Sequence, residues 1–200
     1  MSIIINYTEA ELRAPSLREV LRYARASSDE ASTALARTAL DELSGKLCPR
    51  ICYERVNIRI TDSLVDLGFC AVNSESLSKA LCGCNSAIVF AATVGIEPDR
   101  LIAKYSRLSP TKALFIQAAG SERIEALCDL FCAKIEQELS FDGKTARPRF
   151  SAGYGDLPLS MQKDIFALLT PQKIGISISE SLLMTPTKSV TAIIGIKDNR

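Results

Sequence analysis

The sequence of 200 residues contains no histidine and no tryptophan. Without histidine, the chain cannot supply an imidazole to a catalytic triad, to general-base catalysis or to a zinc or haem site. The chain also has no large excess of positive or negative charge, since 24 Lys and Arg residues balance 23 Asp and Glu residues. Nucleic-acid binding draws on clustered positive charge. The composition therefore argues against a nucleic-acid partner.

A long hydrophobic run is missing as well. The longest mainly apolar stretch, residues 87–96, is interrupted by Thr93 and Gly95, whereas a membrane-spanning helix needs about twenty residues. The N-terminal residues show no basic stretch followed by an apolar one, and no small-residue cleavage site. We therefore expect a protein that does not cross a membrane and that resides in the cytoplasm.

The chain has seven cysteines, at positions 48, 52, 70, 82, 84, 128 and 132. Because the number is odd, at least one cannot join an intramolecular disulfide, and reduced cytoplasmic thiols fit better than a disulfide scaffold. The C-x-x-C spacing common in metal sites does not occur. We expect mostly buried thiols and no metal site. The pair Cys82-Gly-Cys84 is the remaining candidate for a thiol-based redox or metal role.

Serine residues mark the starts of several helices. Ser16-Leu-Arg-Glu19 and Ser27-Ser-Asp-Glu30 have the form in which a hydroxyl caps a helix and a glutamate reaches back to it. This predicts helices over about 16–25 and 28–46. Ser109-Pro110 is typical of a helix start with proline at the first helical position. Shorter helices are predicted over about 76–81, 98–105 and 160–169.

The helix that starts at Ser109 is predicted to be long and amphipathic. Apolar residues recur at helical spacing along one stripe, and the polar residues between them are available for the outer surface. The stripe consists of Ile124, Leu127, Cys128, Phe131, Ile135 and Leu139. The polar residues available for the outer surface are Glu122, Arg123, Asp129 and Glu136.

Strand patterns occupy the remainder of the chain. Apolar and polar residues alternate between Tyr53 and Ala71 around a turn, which predicts a strand pair. Residues 87–93 are apolar on both faces and predict a central strand, 191–196 predict a final strand, and 141–149 suit an exposed loop. The irregular order of elements predicts one α+β domain over residues 1–200, with helices packed on a mixed, partly antiparallel twisted sheet. Its N-terminal helices would occupy about 1–50 and its α+β core about 51–200.

The segment Arg149-Phe-Ser-Ala-Gly-Tyr-Gly-Asp156 is the richest candidate for a binding loop. Glycine lets the backbone turn tightly and approach a ligand, Arg149 offers five fixed donors to a carboxylate or phosphate, and Tyr154 adds a flat face with a polar tip. These properties suit a small anion or a nucleoside. A glycine turn with a core tyrosine and a surface arginine is the alternative interpretation.

Two further patterns accompany this loop. Downstream lies Ile174-Gly-Ile-x-Ile-x-Glu180-Ser-x-x-Met184-x-Pro186-x-x-Ser189-Val, and upstream lie Phe90-Ala-Ala-Thr-Val-Gly95-Ile-Glu-x-Asp99 and Glu122-Arg-Ile-Glu125-Ala. Together with Arg149-x-x-x-Gly153-Tyr154 they run in order over about residues 85–196. In this order they resemble the activation domain of cobalamin-dependent methionine synthase and its stand-alone relatives.

The resemblance implies a role in cofactor repair. In that family the domain binds S-adenosylmethionine, whose methyl group remethylates cobalamin after an electron donor such as flavodoxin has reduced it. It implies that Arg149, Gly153, Tyr154 and Glu125 bind S-adenosylmethionine and that no residue of this chain acts as a general base. The cobalamin would be held by a separate methionine synthase or another corrinoid protein, because 200 residues cannot hold the remaining modules of a complete enzyme.

A docking or scaffold protein is the alternative from another functional class. Such a protein would keep the fold and bind a corrinoid methyltransferase without binding S-adenosylmethionine. Two departures from the family pattern support it. The acidic residue near the start of the family's domain has no clear counterpart before Tyr53, and Gly155-Asp-Leu-Pro-Leu-Ser160 replaces a cysteine-containing stretch.

Overall fold

The computed structural model describes residues 2–199, which form helices packed on both faces of a sheet. The α-helices are α1 Leu17–Ala24, α2 Glu30–Leu43, α3 Glu75–Ala80, α4 Glu97–Leu108, α5 Pro110–Phe141 and α6 Gln162–Leu169. The strands are β1 Ile3–Asn6, β2 Arg50–Asn57, β3 Arg59–Thr61, β4 Leu64–Asp66, β5 Ala71–Asn73, β6 Ser86–Thr93, β7 Lys144–Ala146, β8 Ser177–Ile178, β9 Met184–Thr185 and β10 Ser189–Asp198. Short 3-10 helices lie at Glu9–Glu11, Leu159–Met161 and Pro171–Ile174.

The main sheet has five strands in the order β1-β2-β6-β10-β7. The predicted single α+β domain is confirmed, but the expectation of a mixed sheet is wrong, because every strand pair among residues 2–199 is antiparallel. Strand direction depends on where the connecting helices return the chain, which residue periodicity does not encode. Smaller sheets are formed by β3-β4-β5 and by β8-β9.

Strand β6 lies at the centre of the sheet and confirms the prediction of a strand buried on both faces. Its side chains alternate, so Ile88 and Phe90 pack towards α5 while Ala87 and Val89 pack towards α6. The ring of Phe131 on α5 lies 5.0 Å from that of Phe90, centroid to centroid. Two hydrophobic cores therefore enclose the sheet.

Helix α5 begins where the sequence predicts, with Ser109 as its N-cap residue and Pro110 as its first residue. Its apolar stripe is buried as expected, but the prediction of an outward-facing Glu122 and Arg123 is wrong. Glu122 is 0% exposed and Arg123 is 5% exposed. Both face the N-terminal segment, where Glu122 accepts a hydrogen bond from the Ser16 backbone amide and Arg123 donates one to the Arg13 carbonyl.

The first two helices have caps of different kinds. Ser16 caps α1 as predicted and accepts a hydrogen bond from the Glu19 amide at 3.3 Å. At α2 the prediction of a serine cap is wrong. Asp29 caps this helix, and its carboxylate accepts a hydrogen bond from the Ser32 amide at 2.7 Å. A carboxylate satisfies the free amides of a first helical turn as well as a hydroxyl does.

Several short strands differ from the sequence expectation. The predicted strand pair exists, but β2 joins the main sheet, and the hairpin is formed by β3 and β4 around Asp62, whose φ is +55°. The stretch 141–149, expected as a loop, contains β7, which pairs with the C-terminal end of β10. The prediction that residues 1–50 contain only helices is wrong, because β1 pairs with β2 at the edge of the main sheet. Strands of three or four residues are too short for periodicity to reveal.

No helix within residues 2–199 combines the length and the apolar character needed to cross a membrane.

Candidate functional site

A cleft of about 380 Å³ lies at an open edge of β10, between α5, the 149–154 loop and α6. The edge is open because β7 and the loop pair with only part of β10. Phe150 exchanges two backbone hydrogen bonds with Ile193, both 2.8 Å, and Arg147 donates to Gly195. Since alternate residues of a strand point their backbone groups the same way, the amide and carbonyl of Thr191 face the cleft beyond the last such pair.

Arg149 projects from the loop towards α5 and lines the cleft. Its Nη2 donates to a carboxylate oxygen of Glu125 and lies 3.4 Å from Asp129. Its Nη1 is buried and has no hydrogen-bond partner in the structure. A buried guanidinium nitrogen without an acceptor is costly unless a ligand supplies one, so Arg149 is suited to hold an anionic group.

The loop after Arg149 is shaped by two glycines in the left-handed region. Gly153 has φ +89° and Gly155 has φ +57°. A Cβ atom on Gly155 would lie 2.4 Å from the Ser76 hydroxyl oxygen, so only glycine allows the loop to approach α3 this closely. Gly153 is not among the lining residues. Tyr154 lines the cleft mouth and is 67% exposed.

Asp156 anchors this loop to α3. Its carboxylate accepts hydrogen bonds from the Ser74 hydroxyl at 2.5 Å and from the amides of Glu75 and Ser76 at 2.7 and 3.1 Å. These contacts, the Ser74 bond above all, hold the pKa of the Asp156 carboxyl well below its usual range. Asp156 does not line the cleft, and its hydrogen bonds fix the loop that carries Arg149 and Tyr154.

The structure thus brings three of the four sequence-predicted site residues, Arg149, Tyr154 and Glu125, to one cleft, while Gly153 sets the loop geometry. The interpretation of Tyr154 as a core residue is wrong, because its ring is mostly exposed.

Two cleft residues with unpartnered polar side-chain atoms were missed by the sequence interpretation. Gln162 and Ser189 are 7% and 8% exposed, and both line the cleft. The Gln162 Oε1 and the Ser189 hydroxyl oxygen are buried and have no hydrogen-bond partner in the described part of the chain, residues 2–199. Ser189 belongs to the downstream motif and could have been found there, whereas Gln162 carries no signal beyond its place at a helix start.

Unpartnered buried polar atoms are concentrated at this cleft. Four such side-chain atoms occur among residues 2–199, and three of them belong to the cleft residues Arg149, Gln162 and Ser189; the fourth is the Tyr7 hydroxyl. Buried polar groups in folded proteins are normally paired. Their concentration here indicates a site shaped for a polar ligand.

The expectation of mostly buried thiols is confirmed for only two of the seven cysteines. Cys52 and Cys128 are buried, and Cys48 and Cys82 are exposed. Burial raises the pKa of the Cys52 thiol to about 11 and raises that of Cys128 as well, so both act as small apolar groups. Within residues 2–199 no three His, Cys, Asp or Glu side chains cluster in a way that could hold a metal ion.

Comparison with solved structures shows the fold. The chain superimposes with a TM-score of 0.70 on the MetH reactivation domain, crystallised with AdoHcy, at 15% sequence identity, covering 98% of this chain and 78% of that one. The fold that the sequence resemblance predicts is confirmed.

Comparison of sequences gives a local match. The chain is 30% identical to the methionine synthase of Mycobacterium tuberculosis over 40% of its own length, and it spans 8% of that protein. No family model matches the chain.

Proposed function

We propose that the cleft binds S-adenosylmethionine and that the protein assists the reductive remethylation of cobalamin on a separate methionine synthase or related corrinoid protein. The main observation in support is that three cleft residues, Arg149, Gln162 and Ser189, each have a buried polar atom without a hydrogen-bond partner within residues 2–199. Support comes from a neighbour of the same fold whose structure contains AdoHcy.

The chemistry of the cleft suits the amino-acid end of this ligand. The buried Nη1 of Arg149 would donate to its carboxylate, as a charge-assisted bond of the stronger kind. Glu125, paired with Arg149 through Nη2, would offer its negative charge to the ligand's ammonium and sulfonium groups. The flat face of Tyr154 and the free backbone groups of Thr191 remain for the nucleoside end.

The proposal divides the reaction between this chain and its partners in the way that the family resemblance implies. A flavodoxin-type donor would supply the electron that reduces the cobalamin held by the corrinoid partner. S-adenosylmethionine would then transfer its methyl group to the reduced cobalt and leave as S-adenosylhomocysteine. This chain would bind and orient the methyl donor. No step requires a general base from it, so the missing histidine is compatible with the proposal.

A docking protein that does not bind S-adenosylmethionine is the second candidate. The observation in its favour is the ion pair between Arg149 and Glu125, which already satisfies part of the guanidinium from within the chain. In this case the cleft would be a remnant of the fold, and binding to a corrinoid protein would not depend on Arg149.

Calorimetric titration with S-adenosylmethionine separates the two candidates. If the carboxylate binds Arg149, the change Arg149→Ala should weaken binding by about 30- to 1000-fold, since truncating one partner of a desolvated charge pair costs roughly 2–4 kcal/mol. Arg149→Lys should recover part of the loss, because an ammonium keeps the charge but not the planar fork.

Arg147→Ala is the matched control. Arg147 lies two residues earlier, donates to the Ala80 carbonyl and does not line the cleft, so its removal should leave the dissociation constant unchanged. Absence of binding at millimolar S-adenosylmethionine, or equal effects of the two arginine variants, would favour the docking protein.

A further inference from the structure

Gln162 has a buried acceptor, its side-chain Oε1, that no donor within residues 2–199 satisfies. We propose that its Oε1 accepts a hydrogen bond from the exocyclic amino group of the ligand's adenine and so makes Gln162 the residue that selects the base. The inference rests on the proposed function, since it assumes an adenosyl ligand in the cleft. Gln162 is 7% exposed, begins α6 and lines the cleft.

The need for a ligand donor follows from the energetics of buried acceptors. A carbonyl oxygen removed from water without a hydrogen-bond partner destabilises the folded state, and a native structure rarely keeps one without a use. A donor on the ligand removes this cost on binding. A ligand without a donor at that point does not remove this cost and therefore binds more weakly. A buried polar group discriminates between ligands in this way.

The position of Gln162 indicates which donor it meets. Arg149 and Glu125 lie on the α5 side of the β10 edge, where the carboxylate and ammonium of the ligand are proposed to bind. Gln162 lies on α6, across that edge and beside the segment that carries Tyr154. The opposite end of an S-adenosyl ligand is its base, and the donor that an adenine ring carries in its bound nucleoside form is the exocyclic amino group.

The experiment compares two ligands that differ by that single group. S-adenosylhomocysteine and its purine analogue with hydrogen in place of the 6-amino group are titrated against the wild type, Gln162→Met and Gln137→Met. Methionine preserves the length and volume of glutamine but not its acceptor. Gln137 is exposed on α5, away from the cleft, and is the matched control.

We expect the wild type and Gln137→Met to prefer the amino ligand by about ten- to a hundredfold. Gln162→Met should bind the two ligands within about threefold of each other. The ratio of two dissociation constants on one preparation does not depend on the folded fraction, so a destabilised variant still reports the selectivity.

Two results would overturn the proposal, and they are distinguishable. A wild type that binds S-adenosylhomocysteine but keeps the same preference in Gln162→Met removes the role of Gln162 and leaves the proposed function standing. A wild type that binds neither ligand at millimolar concentration removes both.

Discussion

At the scale of single residues, Asp156 links the 149–156 loop to the start of α3. It receives three hydrogen bonds from the start of α3, and its pKa lies well below the ordinary value of 3.8 as a result. A carboxyl with a lowered pKa in the folded state stabilises that state above the unfolded pKa. This stabilisation disappears as the pH falls from the unfolded pKa towards the folded one.

The change Asp156→Asn should therefore lower the melting temperature at pH 7, and the difference from wild type should shrink between about pH 5 and pH 2. Thermal unfolding followed by circular dichroism across this range measures it. Asp41→Asn, on the exposed face of α2, is the control and should match wild type. A difference that stays constant with pH would show that the carboxylate charge is not what holds the loop.

At the scale of elements, α5 is held by a buried charge cluster as well as by its apolar stripe. Glu122 pairs with Arg123, lies 3.5 Å from the Arg13 guanidinium and accepts from the Ser16 amide. These contacts tie the segment before α1 to the middle of α5. Since the Glu122 carboxylate and the Arg123 guanidinium are both buried, Arg123 depends on Glu122 for charge compensation.

Breaking this cluster from one side should be strongly destabilising. We expect Glu122→Met to reduce the free energy of unfolding by about 3 kcal/mol, because Arg123 then stays buried without its partner. The double variant Glu122→Met, Arg123→Met removes both charges and should recover most of that loss. Urea denaturation measures both.

Glu136→Met, at an exposed position of the same helix, is the control for this pair and should change stability little. The single variant Arg123→Met completes the comparison. If the double variant loses as much stability as Glu122→Met and Arg123→Met lose together, the two charges do not stabilise each other.

At the scale of the whole molecule, the cleft joins the two faces of the sheet. Glu125 belongs to α5 on one face and Gln162 to α6 on the other, and the edge of β10 lies between them. The proposed ligand would contact elements of both hydrophobic cores. Its binding energy would be lost when either core unfolds, which would couple occupancy to global stability.

This coupling predicts a thermal shift. S-adenosylhomocysteine at a hundred times its dissociation constant should stabilise the folded state by about 2.7 kcal/mol, which raises the melting temperature by roughly 5–10 °C for a chain of this size. Differential scanning fluorimetry measures the shift. Arg149→Ala at the same ligand concentration should show little of it, and an unshifted wild type would contradict an adenosyl ligand.

Local patterns in the sequence determined the elements that follow an apolar periodicity or begin and end at characteristic cap and turn residues. The doubly apolar run of β6, the proline start of α5 and the turn of the β3-β4 hairpin were all predictable, because each depends on neighbouring residues. The family motifs also marked Arg149, Tyr154 and Glu125, which the fold brings to one cleft. Their binding of a ligand stays a prediction.

Tertiary structure alone decided which polar groups are buried and which face the cleft. Glu122 and Arg123 look like surface charges on a helix, yet residues about 106 and 110 positions earlier cover them. Gln162 reads as an ordinary helix residue until α6 is placed beside β10. The physical reason is the same in each case: periodicity reports the preferences of a segment, whereas burial of a charge or an amide depends on distant segments whose approach no local pattern encodes.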